Sequence, residues 1–154
     1  MGEIYKTNYE SPLGCIEITG TPEGVLSIDI QDGPCEAFAP IPDCLKACIQ
    51  QLHEYFQGTR REFSLDLVFQ GTDFQMRVWK ALTKIPFGET VSYKDIAKAI
   101  GNIKGVRAVG NANGKNKIPI VVPCHRVIGS TGDLVGFASG LWRKEWLLNH
   151  EKSA

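Results

Sequence analysis

The apolar pattern of the chain changes near residue 70, and this change limits the folds that it can adopt. Before it, EIYKTNYE and CIEITG, joined by a Ser11–Gly14 turn, and then GVLSIDI alternate apolar and polar residues as β-strands do. After it, apolar residues recur every three or four positions, as on one face of a helix. We therefore expect an α+β protein with two domains, residues 1–70 and residues 71–154.

The first domain reads as a small α/β unit. After a Pro-rich loop, DCLKACIQQLHEYFQG has an apolar stripe at helical spacing, with Asp43 as the N-cap and Gly58 as the stop. The following stretch EFSLDLVF predicts one more strand.

The second domain is predicted to be mostly helical. GTDFQMRVWKALTKI begins with Thr72 and Gln75 at the spacing of a capping box, and VSYKDIAKAIG begins at Ser92 and ends at Gly101. KGVRAVGNANGKN follows after a tight turn, so the last two helices resemble a helix-turn-helix. Beyond them we predict a strand at IPIVV, a hairpin at RVIGSTGDLVGF that could serve as a wing, and a final helix at LWRKEWLLNHE.

The neutral net charge conceals a strong asymmetry between the two domains. Residues 1–70 have four Lys/Arg against eleven Asp/Glu, a balance of −7, whereas residues 71–154 have thirteen against six, a balance of +7. A basic block of this kind suits a phosphate backbone, because each neutralised phosphate releases a counterion. Lysines scattered over an ordinary surface are the alternative.

The cysteines predict a reduced protein. Their number is odd and no pair has C-x-x-C spacing, which argues against both a disulfide framework and a zinc ribbon. No membrane span and no secretion signal is evident, so we expect a cytoplasmic protein. The five cysteines are Cys15, Cys35, Cys44, Cys48 and Cys124.

Cys124 alone has neighbours that favour reactivity. His125 and Arg126 follow it, and a thiol needs a positive or proton-accepting neighbour to become a thiolate. Adjacent side chains in extended chain point to opposite sides, so we expect His125 to act through a water molecule. A carboxylate behind the histidine would hold its tautomer. Spacing leaves three candidates open for this carboxylate: Asp133, Glu145 and Glu151.

Several motifs together resemble the 6-O-alkylguanine-DNA alkyltransferases. These are PCHRVIG, preceded by FGETVSYKDIA and RAVGNANGKN and followed by GFASGLWRKEWLLNHE, in the order and spacing of that family. The resemblance covers about Gly71 to Glu151. Over the first seventy residues it is looser, and there it implies the small ribonuclease-H-like domain of the family. For the second domain it implies a winged-helix-like DNA-binding fold.

The resemblance implies single-turnover repair of 6-O-methylguanine, and it leaves open whether 4-O-methylthymine is also a substrate. The damaged nucleotide leaves the duplex of double-stranded DNA, and the Cys124 sulfur takes its alkyl group irreversibly. His125 and Glu151 correspond to the proton relay, Asn116 to a residue that braces the active-site turn, and Tyr93 to a proton donor. Arg107 corresponds to the arginine that fills the vacated stack, and the other implied DNA contacts are Tyr93, Ser92, Lys104, Ala108 and Arg126. The implied substrate pocket contains Val127, Phe137, Ala138 and Lys144, with Phe137 where tyrosine is usual.

The same resemblance implies a monomer that needs no metal or cofactor. Three rival functions remain for comparison. An alkyltransferase-like protein binds lesions without reacting, but such relatives lack the cysteine that is present here. A winged-helix regulator would explain the charge but not PCHR, and a thiol hydrolase would need an oxyanion hole, for which we find no motif.

Overall fold

The computed structural model describes residues 3–36, 40–134 and 136–153. The chain forms two compact units that divide between Phe69 and Gln70. Strands precede helices along the chain, as the α+β prediction requires. Among the described residues, no helix combines the length and the apolar character that crossing a membrane requires.

The first unit is built on a three-stranded antiparallel sheet. Its strands follow one another in chain order, and alternate residues such as Ile16 and Ile18 are fully buried. This confirms the period-2 reading, because one face of the sheet must cover a core. The strands are β1 (Tyr5–Ser11), β2 (Gly14–Thr21) and β3 (Gly24–Gln31).

Helix α1 (Lys46–Phe56) completes the core of this unit with buried Leu52 and Tyr55. It begins later than predicted. Asp43 is not an N-cap but lies in a short 3₁₀ turn, Asp43–Leu45, where its carboxylate pairs with Lys46 at 2.8 Å. The predicted stop is confirmed, because Gly58 has a φ of 80°, a left-handed conformation that glycine adopts without steric cost.

The strand predicted at EFSLDLVF does not form. The segment makes one parallel bridge between Leu67 and Val25, held by hydrogen bonds from Val25 N to Asp66 O and from Val68 N to Val25 O. A single bridge pairs the backbones of the two segments at one position only, so no continuous ladder of hydrogen bonds forms.

The expectation of reduced thiols is wrong for one pair of cysteines. Cys15 and Cys35 form a disulfide, with Cα atoms 5.0 Å apart. The hydrogen bond from Cys15 N to Gly33 O carries the chain beyond β3 back to the first residues of β2, which places the two thiols together. Cys44, Cys48 and Cys124 are free.

The second unit contains four helices and a minimal sheet in its described part. The predicted capping box of Thr72 with Gln75 is present, and Ser92, the predicted start of the next helix, forms a second one with Asp95. Trp79 Nε1 donates to Ala112 O at 2.8 Å and so links the first helix of this unit to the third. The elements are α2 (Asp73–Leu82), β4 (Val91–Ser92), α3 (Tyr93–Ala99), α4 (Val106–Gly114), β5 (Val127–Ile128) and α5 (Leu141–Ser153).

Two strand predictions fail in this unit. IPIVV is a fully buried loop, and Ile120 has a φ of 75°, which interrupts extended backbone. The predicted hairpin is also wrong in its described part, because β5 pairs with β4 in parallel and no second strand follows up to residue 134. The chain instead turns, with Gly129 N donating to Asp133 O at 2.9 Å. Val135, within that prediction, lies outside the described residues.

Candidate active site

Cys124 begins a short 3₁₀ turn, Cys124–Arg126, between the buried loop and β5. Extended chain was expected here, so the assumption that neighbouring side chains point apart does not apply. The turn follows Pro123, and Arg126 N donates to Pro123 O at 3.0 Å to close it. Cys124 is buried, and backbone N–H groups of the turn face its sulfur.

His125 and Glu151 form a buried pair behind the cysteine. His125 Nε2 lies 2.6 Å from Glu151 Oε2, and neither side chain is more than 1% exposed. Of the three carboxylates left open by spacing, only Glu151 has this position, since Asp133 and Glu145 are exposed. A carboxylate accepts hydrogen bonds, so it places the imidazole proton on Nε2. His125 Nδ1 is then an acceptor, and it has no partner among the described residues.

Arg126 also belongs to this buried cluster, which corrects its assignment as a DNA contact. Its side chain is 7% exposed. Nε donates to Glu151 Oε1 at 2.8 Å, Nη2 donates to Glu151 Oε2 at 3.0 Å, and Nη1 donates to Ile85 O at 2.6 Å. Glu151 Oε1 accepts a further bond from Gly88 N at 3.1 Å. The guanidinium is therefore occupied within the protein.

These contacts set the charge of each member of the cluster. Burial favours a neutral Glu151, but hydrogen bonds from His125 and Arg126 outweigh it and hold the pKa of Glu151 well below its usual range. Burial lowers the pKa of His125, against the opposing effect of Glu151. At neutral pH the cluster thus consists of a carboxylate, a guanidinium and a neutral imidazole that can accept a proton.

The Cys124 thiol is not ionised in the resting protein. Burial raises its pKa to about 11, although a hydrogen bond from Asn116, the charge of Lys144 and two backbone N–H groups act in the opposite direction. Those groups stabilise a thiolate once it forms. The proton must therefore leave during the reaction and not before it.

Asn116 has a second function in the same place. Its Nδ2 donates to Val122 O at 2.8 Å, and its Oδ1 accepts from Ile118 N at 3.0 Å. These bonds hold both ends of the loop that leads to Cys124. Asn113, one turn earlier on the chain, donates from Nδ2 to Cys124 O at 3.4 Å. Asn113 was missed by the sequence reasoning, although its position three residues before Asn116 could have indicated it.

A small cavity of about 20 Å³ opens beside Cys124. Two segments enclose it, the end of α4 with the loop after it and the segment before α5. Its lining residues are Asn113, Gly114, Asn116, Pro119, Cys124, Gly136, Phe137, Ala138 and Ser139. Phe137 and Ala138, two residues of the implied substrate pocket, thus line this cavity.

Lys144 and Tyr93 adjoin this cavity. Lys144 is fully buried on α5, and its Nζ donates to Val127 O at 2.6 Å and to Gly136 O at 3.4 Å. Burial lowers the pKa of Lys144 to about 8. Tyr93 is half-buried, with its ring centroid 6.0 Å from Lys144 Nζ, and burial followed by the charge of Cys124 raises its pKa. Lys144 thus links the backbone of Val127 to that of Gly136, and Tyr93 lies beside it.

The implied DNA contacts lie on the helix pair of this unit. Arg107 and Ala108 are exposed in the first turn of α4, and Lys104 is exposed in the turn before it. Ser92 caps α3 and is half-buried. Ile103 and Val106 are also exposed, at 53% and 37%, so this surface presents apolar as well as basic groups. In the described part of the chain, no group of three or more His, Cys, Asp or Glu is placed to hold a metal ion.

Two family models account for almost the whole chain. The DNA-binding domain of 6-O-methylguanine DNA methyltransferase matches residues 73–153, and the ribonuclease-like domain of the same family matches residues 4–69. The chain belongs to the 6-O-methylguanine DNA methyltransferase family. DNA is accordingly its partner.

Individual relatives match over nearly their full length. The methylated-DNA–protein-cysteine methyltransferase of Methanosarcina acetivorans is 44% identical over 155 residues, which covers 97% of this chain and 99% of the relative. The crystal structure of Mycobacterium tuberculosis O6-methylguanine methyltransferase has a TM-score of 0.88 at 42% identity, covering 98% of this chain and 94% of that one. A complex of the Mycobacterium tuberculosis protein with DNA has a TM-score of 0.86 at 44% identity, covering 95% and 91%.

Proposed function

We propose that this protein repairs DNA by moving the alkyl group of 6-O-alkylguanine onto Cys124, once per molecule. The observation that carries this proposal is the pairing of His125 with Glu151 at 2.6 Å directly behind a cysteine that adjoins a cavity. A neutral, oriented imidazole beside a neutral thiol is what deprotonation at the moment of attack requires.

The proton and the alkyl group move in opposite directions. The Cys124 thiol proton passes through a water molecule to His125 Nδ1, and Glu151 stabilises the imidazolium that results. The sulfur forms a bond to the alkyl carbon while the bond between that carbon and the guanine oxygen breaks. Tyr93 donates its hydroxyl proton to the departing guanine and regains one from the relay. The products are guanine in DNA and S-alkylcysteine.

The reaction ends there because the product thioether has no good leaving group. Asn116, Lys144 and the backbone N–H groups of the turn stabilise a thiolate, but they offer nothing to a neutral thioether. No water is activated to remove the alkyl group, so the protein is consumed.

The damaged nucleotide must rotate out of the duplex, because the alkyl carbon is otherwise held in the base stack. Arg107 enters the gap that the nucleotide leaves, and Tyr93 helps to turn the backbone. Lys104, Ala108 and Ser92 contact the strand beside it. The basic balance of this unit offsets the cost of unstacking by binding phosphates.

The extruded base enters at the cavity beside Cys124, which must widen from about 20 Å³ to admit it. Phe137 stacks on it, Ala138 N faces its oxygen, and main-chain carbonyls of Cys124 and Val127 accept from its amino group. Lys144 fixes Val127 and the segment at Gly136. We place the protein in the cytoplasm with the DNA and propose that it acts as a monomer, since all the residues of the site come from one chain.

Mass spectrometry tests the transfer directly. Duplex DNA with one 6-O-methylguanine should add one methyl group to the peptide containing Cys124, and guanine should appear in the DNA. Cys124→Ser should leave both molecules unchanged. Cys44→Ser removes a free thiol that lies elsewhere and should react as the native protein does. Loss of methyl from DNA without a change in protein mass would contradict the proposal.

A further inference from the structure

The two walls of the cavity beside Cys124 differ in how firmly they are held. One wall is the end of α4 and the loop after it, where Asn116 binds the backbone at both ends of a loop whose apolar side chains are buried. The other wall is residues 136–139, which lie between β5 and α5. Residues 136–140, all of which the structure describes, belong to no helix or strand, and Gly136 and Ala138 are exposed. We call residues 136–140 the strap.

The strap closes the cavity too tightly for a base to enter. The cavity of about 20 Å³ has room for about one water molecule, whereas pockets that hold small organic ligands measure about 300 Å³ or more. The strap also lies against Tyr93, because a Cβ atom at Gly136 would be only 3.6 Å from the Tyr93 hydroxyl. Since the other wall is part of the core, the strap is the wall that must move outward.

A glycine stands at each end of the strap. Gly136 has a φ of 58° and Gly140 has a φ of 103°, both in the left-handed region that other residues adopt only at a cost. Hinges in loops are often small residues that absorb a change in backbone angles. The Gly136 end is fixed, because its carbonyl accepts from Lys144 Nζ at 3.4 Å. The strap can therefore bow outward by rotation at its two glycines while its ends stay attached.

Arg143 holds the other end of the strap from the first turn of α5. Its Nη1 donates to Ser139 O at 2.8 Å, and its Cζ lies 4.7 Å from the centroid of the Trp142 ring. Arg143 is only 6% exposed. A hydrogen bond from a charged donor is stronger than one between neutral groups, but it is lost once the acceptor turns away. The guanidinium is thus placed to keep the strap closed.

We propose that Arg143 is a latch: its hydrogen bond to Ser139 O keeps the strap closed over Cys124, and this bond breaks when the damaged base enters. The inference rests on the proposed function, to which it adds the step by which the base gains access. Arg143 acts through the strap and is a positioning residue.

A closed strap has a cost and a benefit for a protein that reacts once. Only the open fraction of the molecules can accept the base, so the apparent affinity for the lesion falls by that fraction. In return, the closed strap shields Cys124 from other electrophiles, whose reaction with the sulfur would consume the protein without any repair. The latch sets the balance between these two effects.

Iodoacetamide tests the latch without DNA. This reagent is larger than one water molecule, so it should reach Cys124 only when the strap opens. Arg143→Met keeps a long side chain but removes the donors, and we expect the Cys124 peptide to be labelled about tenfold faster at each pH from 7 to 9. The pH dependence should stay native, since the latch controls access and not ionisation. Lys152→Met, the same loss of charge at an exposed position of α5, should label at the native rate.

Duplex DNA with 6-O-methylguanine gives the second readout. At DNA concentrations far below saturation, Arg143→Met should be methylated faster than the native protein by a similar factor, whereas the rate at saturating DNA should stay within about twofold. A residue that only stabilised the fold would lower both rates when replaced. Arg143→Lys, which keeps the charge and a donor, should lie between the native protein and Arg143→Met in both measurements.

The two rates decide the matter together. Labelling at the native rate in Arg143→Met, or slower methylation at low DNA concentration, would overturn the inference. Should thermal melting show that Arg143→Met does not fold, Gly140→Ala is judged by the same two rates, because alanine penalises the left-handed φ of the closed strap and leaves Arg143 in place. If iodoacetamide labels Cys124 in the native protein but the duplex does not methylate it, the proposed function has failed, and the labelling ratio still decides whether the latch exists.

Discussion

Arg126 binds both carboxylate oxygens of Glu151 inside the protein, with Nε 2.8 Å from Oε1 and Nη2 3.0 Å from Oε2. The same carboxylate contacts His125 Nε2 at 2.6 Å. One buried arginine thus keeps a buried glutamate charged, and that glutamate sets the tautomer of the histidine. The orientation of His125, the proton acceptor beside Cys124, therefore depends on Arg126, a residue that does not touch the cysteine.

Replacement of Arg126 should destabilise the second unit strongly. Arg126→Met leaves Glu151 buried without its main counter-charge, and we expect a loss of about 3–5 kcal/mol in the free energy of unfolding. Urea unfolding followed by tryptophan fluorescence measures this, since Trp79, Trp142 and Trp146 all lie in residues 70–153. Arg107→Met, at an exposed position, should change stability by less than about 0.5 kcal/mol. Equal stability of the two variants would show that the ion pair is not needed.

The free energy of unfolding of the second unit should decrease as the pH is lowered below about 6.5, the ordinary pKa of histidine. The pKa of His125 is lower in the folded protein, so below pH 6.5 the unfolded state takes up the proton first and gains stability relative to the folded state. Glu151 adds a further loss below about pH 4.3, because its folded pKa is also lowered. Unfolding curves from pH 8 to pH 3 measure both steps.

A histidine in the other unit supplies the control for this pH dependence. His53→Asn should leave the tryptophan-detected curves unchanged, whereas His125→Asn should flatten the step near pH 6. A native protein whose stability is constant from pH 7 to pH 5 would contradict the assignment of a buried neutral imidazole.

The reactivity of Cys124 should rise with pH. Its pKa of about 11 means that iodoacetamide, which reacts with thiolates, should label it about tenfold faster for each unit of pH between 7 and 9. Lys144→Met removes a positive charge that favours the thiolate and should slow labelling at pH 7, with a smaller effect at pH 9, because a pKa of about 8 leaves most of the Lys144 side chain neutral there. Lys152→Met, an exposed change on α5, should not. Peptide mass spectrometry gives the rates, and a rate independent of pH over this range would mean that the thiol is already ionised.

The number of free thiols should reveal the disulfide. Under denaturing conditions without reductant, Ellman's reagent should detect three thiols, from Cys44, Cys48 and Cys124. Cys15→Ser should release Cys35 and give four, and reduction of the native protein should give five. Five thiols in the unreduced native protein would show that Cys15 and Cys35 are not joined.

Arg107→Ala should impair repair of duplex DNA more than reaction with free 6-O-methylguanine base. The free base needs no extrusion, so a residue that fills the vacated stack has no part in that reaction. Lys46→Ala, in the first unit, should leave both rates unchanged. Single-turnover rates on the two substrates measure the difference, and an equal loss on both would contradict the stack-filling role.

The helices were predictable because their signals are local. The capping boxes at Thr72 and Ser92 and the glycine after α3 lie within a few residues of the helix ends that they determine. Strands are less predictable because their hydrogen bonds come from other segments. EFSLDLVF and IPIVV have suitable residues, but the fold gives the first one bridge and the second a left-handed turn at Ile120.

The sequence by itself determined the order of strands and helices and the polarised charge, and its motifs indicated the reactive cysteine with its histidine. The tertiary structure decided partners that spacing left open: Glu151 for His125, which the family resemblance also implied, Glu151 again for Arg126, and Cys35 for Cys15. Periodicity and capping depend on neighbours along the chain, whereas ion pairs, disulfides and burial join residues that only folding brings together. Arg126 lies two residues after Cys124 in the sequence, and from that position its guanidinium could face DNA or the core. Only its contact with Glu151 of α5 shows that it faces the core.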